Sequence, residues 1–269
     1  VVIDCANGAA YKVAPRVLTD LGAEIIPLGC SPNGRNINLR CGSTSPGLIQ
    51  ATVSGVHADV GIALDGDGDR LVMVDHLGRI ADGDQLLYVI ASDRKRAGTL
   101  QGPVVGTVMS NLGLEQKLQA EGVEFLRAKV GDRYVLAMLK EHGGVLGGET
   151  SGHLLCRDRT TPGDGLISAL EVLAVMKRTG RPLAELVAGM PKLPQVMINV
   201  RVKQRIDLSK SQAIQDAVKR VEEGLGTTGR VVLRASGTEP VIRVMIEAQE
   251  EAVASRYANE LAEVVRTAI

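Results

Sequence analysis

Residues Ala63–Leu71 read Ala-Leu-Asp-Gly-Asp-Gly-Asp-Arg-Leu, so Asp65, Asp67 and Asp69 stand on alternate positions with only glycine between them. At ~4 Å separation and an effective dielectric near 20, each like-charged pair costs on the order of 4 kcal/mol, so converging carboxylates need a cation or raised pKa values. A hard divalent ion is the simplest answer. Three oxygen ligands with open positions suit Mg²⁺ held against a substrate phosphate, and glycine at 66 and 68 lets the backbone turn tightly enough for the carboxylates to converge. Arg70 would then face that phosphate. Two plainer readings compete. A calcium loop needs glycine sixth from Asp65 and glutamate twelfth, and those positions hold Arg70 and His76. A solvated acidic turn needs one or two Asp or Gly residues, not three aspartates at strict alternation behind an apolar run.

A second stretch with chemistry in it is Arg234-Ala235-Ser236-Gly237-Thr238, followed by Arg243. It offers guanidinium groups, two hydroxyls and a backbone turn that can aim amides at one anion, which suits a phosphate that is held and not transferred. A plain hairpin turn would not need both arginines. Glu149 and Ser151, in Gly147-Gly148-Glu149-Thr150-Ser151-Gly152-His153, decide nothing when weighed alone, because glycine-rich loops are common. His153 fits a general acid/base or a hydrogen-bonded packing residue at a strand start, with a supporting site role the better fit. His57, His76 and His142 read as surface residues.

The elements that must position these residues follow from periodicity. Val1–Ile3 is a predicted strand, Lys12–Leu21 a helix ending near Gly22, Glu24–Leu28 a strand and Pro46–Val56 a helix. The apolar run Ala58–Leu64 is a buried strand that delivers the aspartates to its carboxyl end, where open α/β sheets bind ligands. Leu71–Asp75 and Ile80-Ala81 form a hairpin about Gly78, and Gln85–Ser92 begins a helix; Arg94-Lys95-Arg96-Ala97-Gly98 reads as a boundary and a solvated charged face. The next unit repeats the order: strand Pro103–Thr107, helix Gly113–Glu121, strand Glu124–Ala128, helix Arg133–Glu141, strand Gly144–Leu146 opening onto Glu149, then a helix over Asp164–Thr179. A duplicated plan stays open, with no sequence repeat strong enough to prove it. From Gln195 the pattern changes to strand Val196–Val202, helix Ser211–Glu223, strands Val231–Arg234 and Val241–Glu247, and helix Ala252–Thr267. The expected fold class is α/β: two α/β sheet domains with flanking helices, residues 1–97 and 98–192, followed by a small α+β C-terminal domain, residues 193–269.

Composition narrows the function classes. The chain has 269 residues, 31 basic and 31 acidic, and 2% aromatic content, which leaves no general attraction to nucleic acid or anionic membrane and little to stack on bases. Cys5, Cys30, Cys41 and Cys156 contain no Cys-x-x-Cys pair, so free thiols in a reducing, cytoplasmic setting are expected. No apolar run approaches the ~20 residues of a membrane helix.

Asp65-Gly66-Asp67-Gly68-Asp69-Arg70 resembles the metal loop of the α-D-phosphohexomutases. Three other stretches are similar to that family's loops and keep its order: Ala128-Lys129-Val130-Gly131-Asp132-Arg133-Tyr134, Gly147–His153 and Arg234–Pro240. Asn36-Ile37-Asn38 with Cys41-Gly42-Ser43-Thr44, and Thr107–Glu115, resemble the branch acting on glucosamine phosphates in particular. The resemblance covers essentially the whole chain. It implies a Mg²⁺-dependent interconversion of hexose 6- and 1-phosphates through a phosphoserine enzyme and a bisphosphorylated sugar. It assigns Asp65, Asp67 and Asp69 to the metal, Arg70, Lys129 and His153 to catalysis, Glu149 and Ser151 to sugar hydroxyls, and Arg234, Ser236, Gly237, Thr238 and Arg243 to the distal phosphate. The family's phosphoserine loop is not among these residues. The opening Val1-Val2-Ile3-Asp4-Cys5-Ala6-Asn7-Gly8 is similar to the start of the family's second domain, so the implied partners are a phosphosugar and an N-terminal phosphoserine domain. A homodimer stays open. Thr150, where a larger polar residue is expected, and Ser45, in place of a histidine, depart from the glucosamine pattern and bear on the substrate, not the reaction. Mannose or glucose phosphates, or a phosphosugar-binding module without catalysis, are the alternatives.

Overall fold

In the computed structural model, which describes residues 1–202, 208–236 and 239–268, the alternating apolar runs and helical stripes become three sheets in two units. The first unit is Val1–Ser110 with Leu114–Pro191. It opens with β1 (Val2–Asp4), α1 (Val13–Asp20), β2 (Ile26–Leu28), α2 (Gly47–Gly55), β3 (Val60–Leu64), β4 (Leu71–Asp75) and β5 (Ile80–Ala81). The strands lie in the order β2-β1-β3-β4-β5, the first three parallel and β4 antiparallel to β3 and β5. Every residue of β3 is buried, because both faces are covered. Ile62 and Leu64 join a core with Met73, Leu86 and Leu114, while Ala63 faces Val2, Ile49 and Val53. That is why the run carries no polar alternation.

The second sheet of this unit follows α3 (Gly83–Arg96) and comprises β6 (Val104–Thr107), β7 (Phe125–Ala128), β8 (Leu146–Gly148) and β9 (Leu154–Cys156), with α4 (Leu112–Ala120), α5 (Asp132–Glu141), α6 (Gly165–Thr179) and α7 (Leu183–Val187). Its order, β7-β6-β8-β9 with only β9 antiparallel, repeats the order of the first four strands of the first sheet. Asp82 starts α3 two residues earlier than expected by accepting from the Gln85 amide at 3.1 Å, while Gln85 Oε1 accepts from the Asp82 amide at 3.3 Å. This reciprocal cap satisfies two amides that a bare helix start leaves unpaired. The expectation of a solvated face at Arg94–Arg96 fails for Arg94. Its guanidinium is buried and donates to Asp158 and Glu171, both at 2.9 Å, so the charge is paired and not solvated. Strand β9 and helix α7 were too short to leave a periodic signal.

The second unit, Asn111–Gly113 with Lys192–Ile269, contains β10 (Gln195–Arg201), α8 (Gln212–Leu225), β11 (Gly229–Ala235), β12 (Val241–Ala248) and α9 (Glu251–Thr267). The sheet is antiparallel in the order β10-β12-β11. Val200, Ile242, Val244 and Ile246 pack against Ile214, Ala217 and Val221 of α8 and Ala258, Leu261 and Val265 of α9. Asn111 is tied in by two bonds with the Leu193 backbone, at 2.9 and 3.0 Å. Among the described residues no helix is long and apolar enough to cross a membrane.

Candidate active site

In the first unit β3 ends at Leu64, and the next residue begins the acidic loop. One carboxylate oxygen from each of Asp65, Asp67 and Asp69 lies within 4.8 Å of the others. Asp65 is buried and Asp67 is exposed, so the cluster opens outward. The loop is held by backbone. Ala9 N donates to Gly66 O at 2.8 Å, Gly165 N donates to Gly68 O at 2.9 Å, and Leu71 N donates to Gly152 O at 3.0 Å. The glycines make these approaches feasible: a Cβ on Gly8 would stand 2.2 Å from Gly66 O, and Gly68 has φ +78.

Burial pushes the Asp65 carboxyl above its usual range, and the charges of Asp69 and Asp67 push it further. The amide of Arg70 acts against them, donating to Asp65 Oδ1 at 3.1 Å. The Arg70 side chain is exposed, with Nε 3.9 Å from Asp65 Oδ2. Asp69 is held from its other side. His153, buried, places Nδ1 3.0 Å from Asp69 Oδ2, and the two strands touch through an isolated Arg70–His153 bridge. Among the described residues Asp69 Oδ1 remains buried without a partner, and so does His153 Nε2, which faces Gly163 closely enough that a Cβ there would come within 2.2 Å. Three hard oxygens, one of them a buried orphan, and a carboxyl destabilised in its charged form fit a divalent cation of the Mg²⁺ type.

Glu149 and Ser151 sit between β8 and β9 on the same side of this unit's sheet as the loop carrying Lys129. Glu149 Oε1 accepts from Gly131 N at 2.9 Å, which ties the two loops together. Ser151 is exposed. Thr150 turns away, its Oγ1 donating to the buried Asp84 Oδ2 at 2.8 Å. Lys129 is exposed and lies over the Tyr134 ring, 6.0 Å from its centroid. Asp65, Asp67, Asp69, Arg70 and His153 are therefore one cluster, and Glu149 and Lys129 share a second pair of linked loops. Asp84 was missed from the sequence, where no pattern marks it; in the structure Asp82 caps α3, while Asp84, two residues on, is buried and accepts from Thr150.

In the second unit Arg234 and Arg243 are direct cross-strand partners on β11 and β12. Like charges directly opposed destabilise a sheet. Burial and then the charge of Arg243 lower the pKa of Arg234, and among the described residues the Nε atoms of both arginines are buried without partners. Among the described residues Arg243 has a partial counter-charge in Glu239 at 3.5 Å. Ser236 is buried beside them, its amide donating to Val241 O at 2.8 Å and its Oγ accepting from Glu239 N at 3.3 Å. Gly237 and Thr238 lie outside the described residues. Two adjacent guanidiniums of this kind have the chemistry to hold an anion.

Three domain descriptions from one family match the chain. They are phosphoglucomutase/phosphomannomutase alpha/beta/alpha domain II over residues 1–78, alpha/beta/alpha domain III over 82–193, and the C-terminal domain over 197–264. Phosphoglucosamine mutase of Alkalilimnicola ehrlichii is 57% identical over 267 residues, 99% of this chain and 59% of that protein. The enzyme of the same name from Methylococcus capsulatus is 54% identical over 268 residues, 100% of this chain and 60% of that one. The chain thus spans about 60% of the length of these curated relatives. Among solved structures, Aspergillus fumigatus N-acetylphosphoglucosamine mutase in complex with GlcNAc-6P and magnesium superposes with a TM-score of 0.82 at 22% identity, over 99% of this chain and 61% of that one. A phosphoglucomutase/phosphomannomutase family protein from Burkholderia thailandensis gives 0.80 at 24%, over 99% and 60%. At these identities the structures speak to the fold alone.

Proposed function

The chain belongs to the phosphoglucomutase/phosphomannomutase family, and on that premise we propose that it supplies the metal, sugar and distal-phosphate sites of an enzyme that interconverts glucosamine 6-phosphate and glucosamine 1-phosphate. The phosphoryl carrier would be a phosphoserine outside these residues, and the turnover intermediate a bisphosphorylated sugar. The observation that carries the reading is the pairing of two opposite charge excesses, three carboxylates within 4.8 Å in one unit and two directly opposed arginines in the other. A phosphate ester that is both metal-coordinated and clamped at its far end needs these two sites.

Asp65, Asp67 and Asp69 would hold Mg²⁺, which supplies charge neutralisation for a transferring phosphoryl group. Arg70 adds positive charge at the same place. His153 is better suited to positioning than to proton transfer, because its Nδ1 is spent on Asp69 Oδ2 and its Nε2 is buried against Gly163. Lys129, exposed at the end of β7, is the residue we assign to the hydroxyl proton. Glu149 and Ser151 take sugar hydroxyls. Arg234, Ser236 and Arg243, with Gly237 and Thr238, take the distal phosphate, so that remote binding energy positions the reacting end. The names of the relatives support glucosamine as the sugar; the inward-turned Thr150 leaves recognition to Glu149 and Ser151. We place the enzyme in the cytoplasm, with four free cysteines as support. The division into domains 1–97, 98–192 and 193–269 remains our proposal.

The test has two arms. The 269-residue chain should bind glucosamine 6-phosphate by calorimetry in Mg²⁺ and show no isomerisation in a coupled assay; the chain extended to the relatives' full length should turn over. Turnover by the 269-residue chain alone would overturn the assignment of the phosphoryl carrier.

A further inference from the structure

Between β8 and β9 the chain reverses through Thr150, Ser151 and Gly152. Glu149 N donates to His153 O at 3.0 Å, Gly152 N donates to Glu149 O at 2.9 Å, and Gly152 takes φ +93. This is a three-residue hairpin loop closed by a glycine in the left-handed region. Thr150 therefore stands between the two residues assigned to sugar hydroxyls, and fixing it fixes both. We propose that Asp84, acting through Thr150, is the positioning residue that holds this turn in its sugar-binding form. The proposal rests on the sugar role given above to Glu149 and Ser151.

The backbone of the turn is seated on the start of α3. Gly83, the first residue of that helix, donates its amide to Thr150 O at 3.1 Å. A helix start leaves four such amides unpaired, and Asp82 satisfies another of them, that of Gln85. The seat is tight: a Cβ on Gly83 would stand 2.1 Å from Glu149 O and 2.7 Å from Gly152 N. Strand β4 holds the same turn at Gly152, whose carbonyl accepts from Leu71 N at 3.0 Å. A Cβ on Gly152 would stand 2.0 Å from Leu71 O.

These contacts locate the turn, and the side chain of Thr150 locks it. Its Oγ1 donates to Asp84 Oδ2 at 2.8 Å and lies 3.4 Å from Met109 O, in the loop after β6. Asp84 has no exposed surface, so water does not compete for this bond. The helix start does not need Asp84 as a cap, because Asp82 supplies that. Its place in the first turn of α3 favours a negative charge, and a hydrogen bond to a carboxylate is stronger than one between neutral groups. Threonine is branched at Cβ and stiff at χ1, so pinning its hydroxyl also pins its backbone. On one side of this anchor Glu149 Oε1 accepts from Gly131 N at 2.9 Å; on the other Ser151 is exposed. A sugar thus meets a carboxylate and a hydroxyl whose spacing the Thr150 anchor maintains.

Three variants of the 269-residue chain decide the matter. Thr150→Val removes the hydroxyl and keeps the shape, Thr150→Ser keeps the hydroxyl, and Asp84→Asn keeps an acceptor without the charge. Amide hydrogen exchange in the ligand-free chain reads the turn at Gly83, Gly131 and Gly152, whose amides donate to Thr150 O, Glu149 Oε1 and Glu149 O. Calorimetry in Mg²⁺ with glucosamine 6-phosphate, and separately with inorganic phosphate, isolates the sugar's share of binding. Thr150→Val should speed exchange at those amides and weaken glucosamine 6-phosphate binding, each by roughly tenfold or more, with inorganic phosphate held within about twofold. It should melt within a few degrees of its parent. Thr150→Ser should recover most of both losses, and Asp84→Asn should fall between. Unchanged exchange in Thr150→Val would overturn the proposal. So would equal weakening of glucosamine 6-phosphate and inorganic phosphate, or a Thr150→Ser chain no better than Thr150→Val. A parent chain that binds inorganic phosphate but no glucosamine 6-phosphate would overturn the sugar reading, and the positioning role with it, while exchange still reports whether Thr150 anchors the turn.

Discussion

The two charged centres of this protein are built by opposite means. Three carboxylates are brought together by a loop whose glycine backbone is pressed against two neighbouring segments, so their convergence depends on close approaches that no side chain could share. The two arginines are brought together by strand register alone, as opposite residues on β11 and β12. Both arrangements crowd like charges together, and among the described residues both leave buried polar atoms without partners, Asp69 Oδ1 in the first and the two guanidinium Nε atoms in the second. The difference lies in what damages them. A carboxylate cluster set by backbone packing should fail with the fold around it. A pair set by register should lose its ligand and keep its sheet.

The largest expected effect probes that contrast directly. In Gly8→Ala the new Cβ would lie 2.2 Å from Gly66 O and within 2.7 Å of the Gly66 Cα and carbonyl carbon, so the acidic loop must shift. A loss of about 3 kcal/mol in urea denaturation is expected, with loss of Mg²⁺ binding by calorimetry. A stable Gly8→Ala protein that binds Mg²⁺ normally would mean the loop is not held by packing.

Next comes Asp67→Asn. The side chain is exposed, so the fold should be unaffected while Mg²⁺ affinity falls by about a hundredfold or more, since changes one shell further out already cost 10- to 100-fold. Unchanged affinity would assign the aspartates another purpose. Arg234→Ala should weaken binding of a phosphosugar by about one to two powers of ten, the worth of one charge-assisted hydrogen bond of ~1.5–3 kcal/mol, and leave Mg²⁺ affinity alone. In the extended enzyme kcat/KM should fall by the same factor while hydrolysis of the phosphoserine to water proceeds at a near-normal rate. Equal slowing of both would move Arg234 to the reacting centre.

The smallest effect concerns pH. Asp65 has its folded pKa raised above 3.8 by burial and by its acidic neighbours, so the folded chain binds that proton more tightly than the unfolded one. Above the folded pKa the cost of the buried charge is fully present. As pH falls through that value toward 3.8 the cost is relieved, so without metal the stability deficit of the parent relative to Asp65→Asn should shrink with acid. Chemical denaturation of both proteins in EDTA between pH 7 and 4 checks the sign. A gap that widens on acidification would mean Asp65 is held charged.

Much of the fold was legible because it rests on short-range pattern. The run Val60–Leu64 announced a strand covered on both faces, and the stripes of α8 and α9 announced one buried side each. The aspartates at 65, 67 and 69 were legible because alternation with glycine is costly without a purpose. What escaped depends on contacts between distant residues. Arg94 looked solvated until Asp158 and Glu171 met it, Asp84 drew no reading until Thr150 bonded to it, and His153 could be read as acid, base or filler until its two ring nitrogens found Asp69 and Gly163.

By itself the sequence determined which residues carry charge, where the chain turns and which runs seek cover, since these follow from side-chain chemistry and the 3.6- and 2-residue periods. Only the tertiary structure decided which charges are partnered. Whether a carboxylate or guanidinium is paired, orphaned or opposed by its like is a matter of a few ångströms between residues far apart in the chain, 84 positions for His153 and Asp69, and local pattern carries no information at that range.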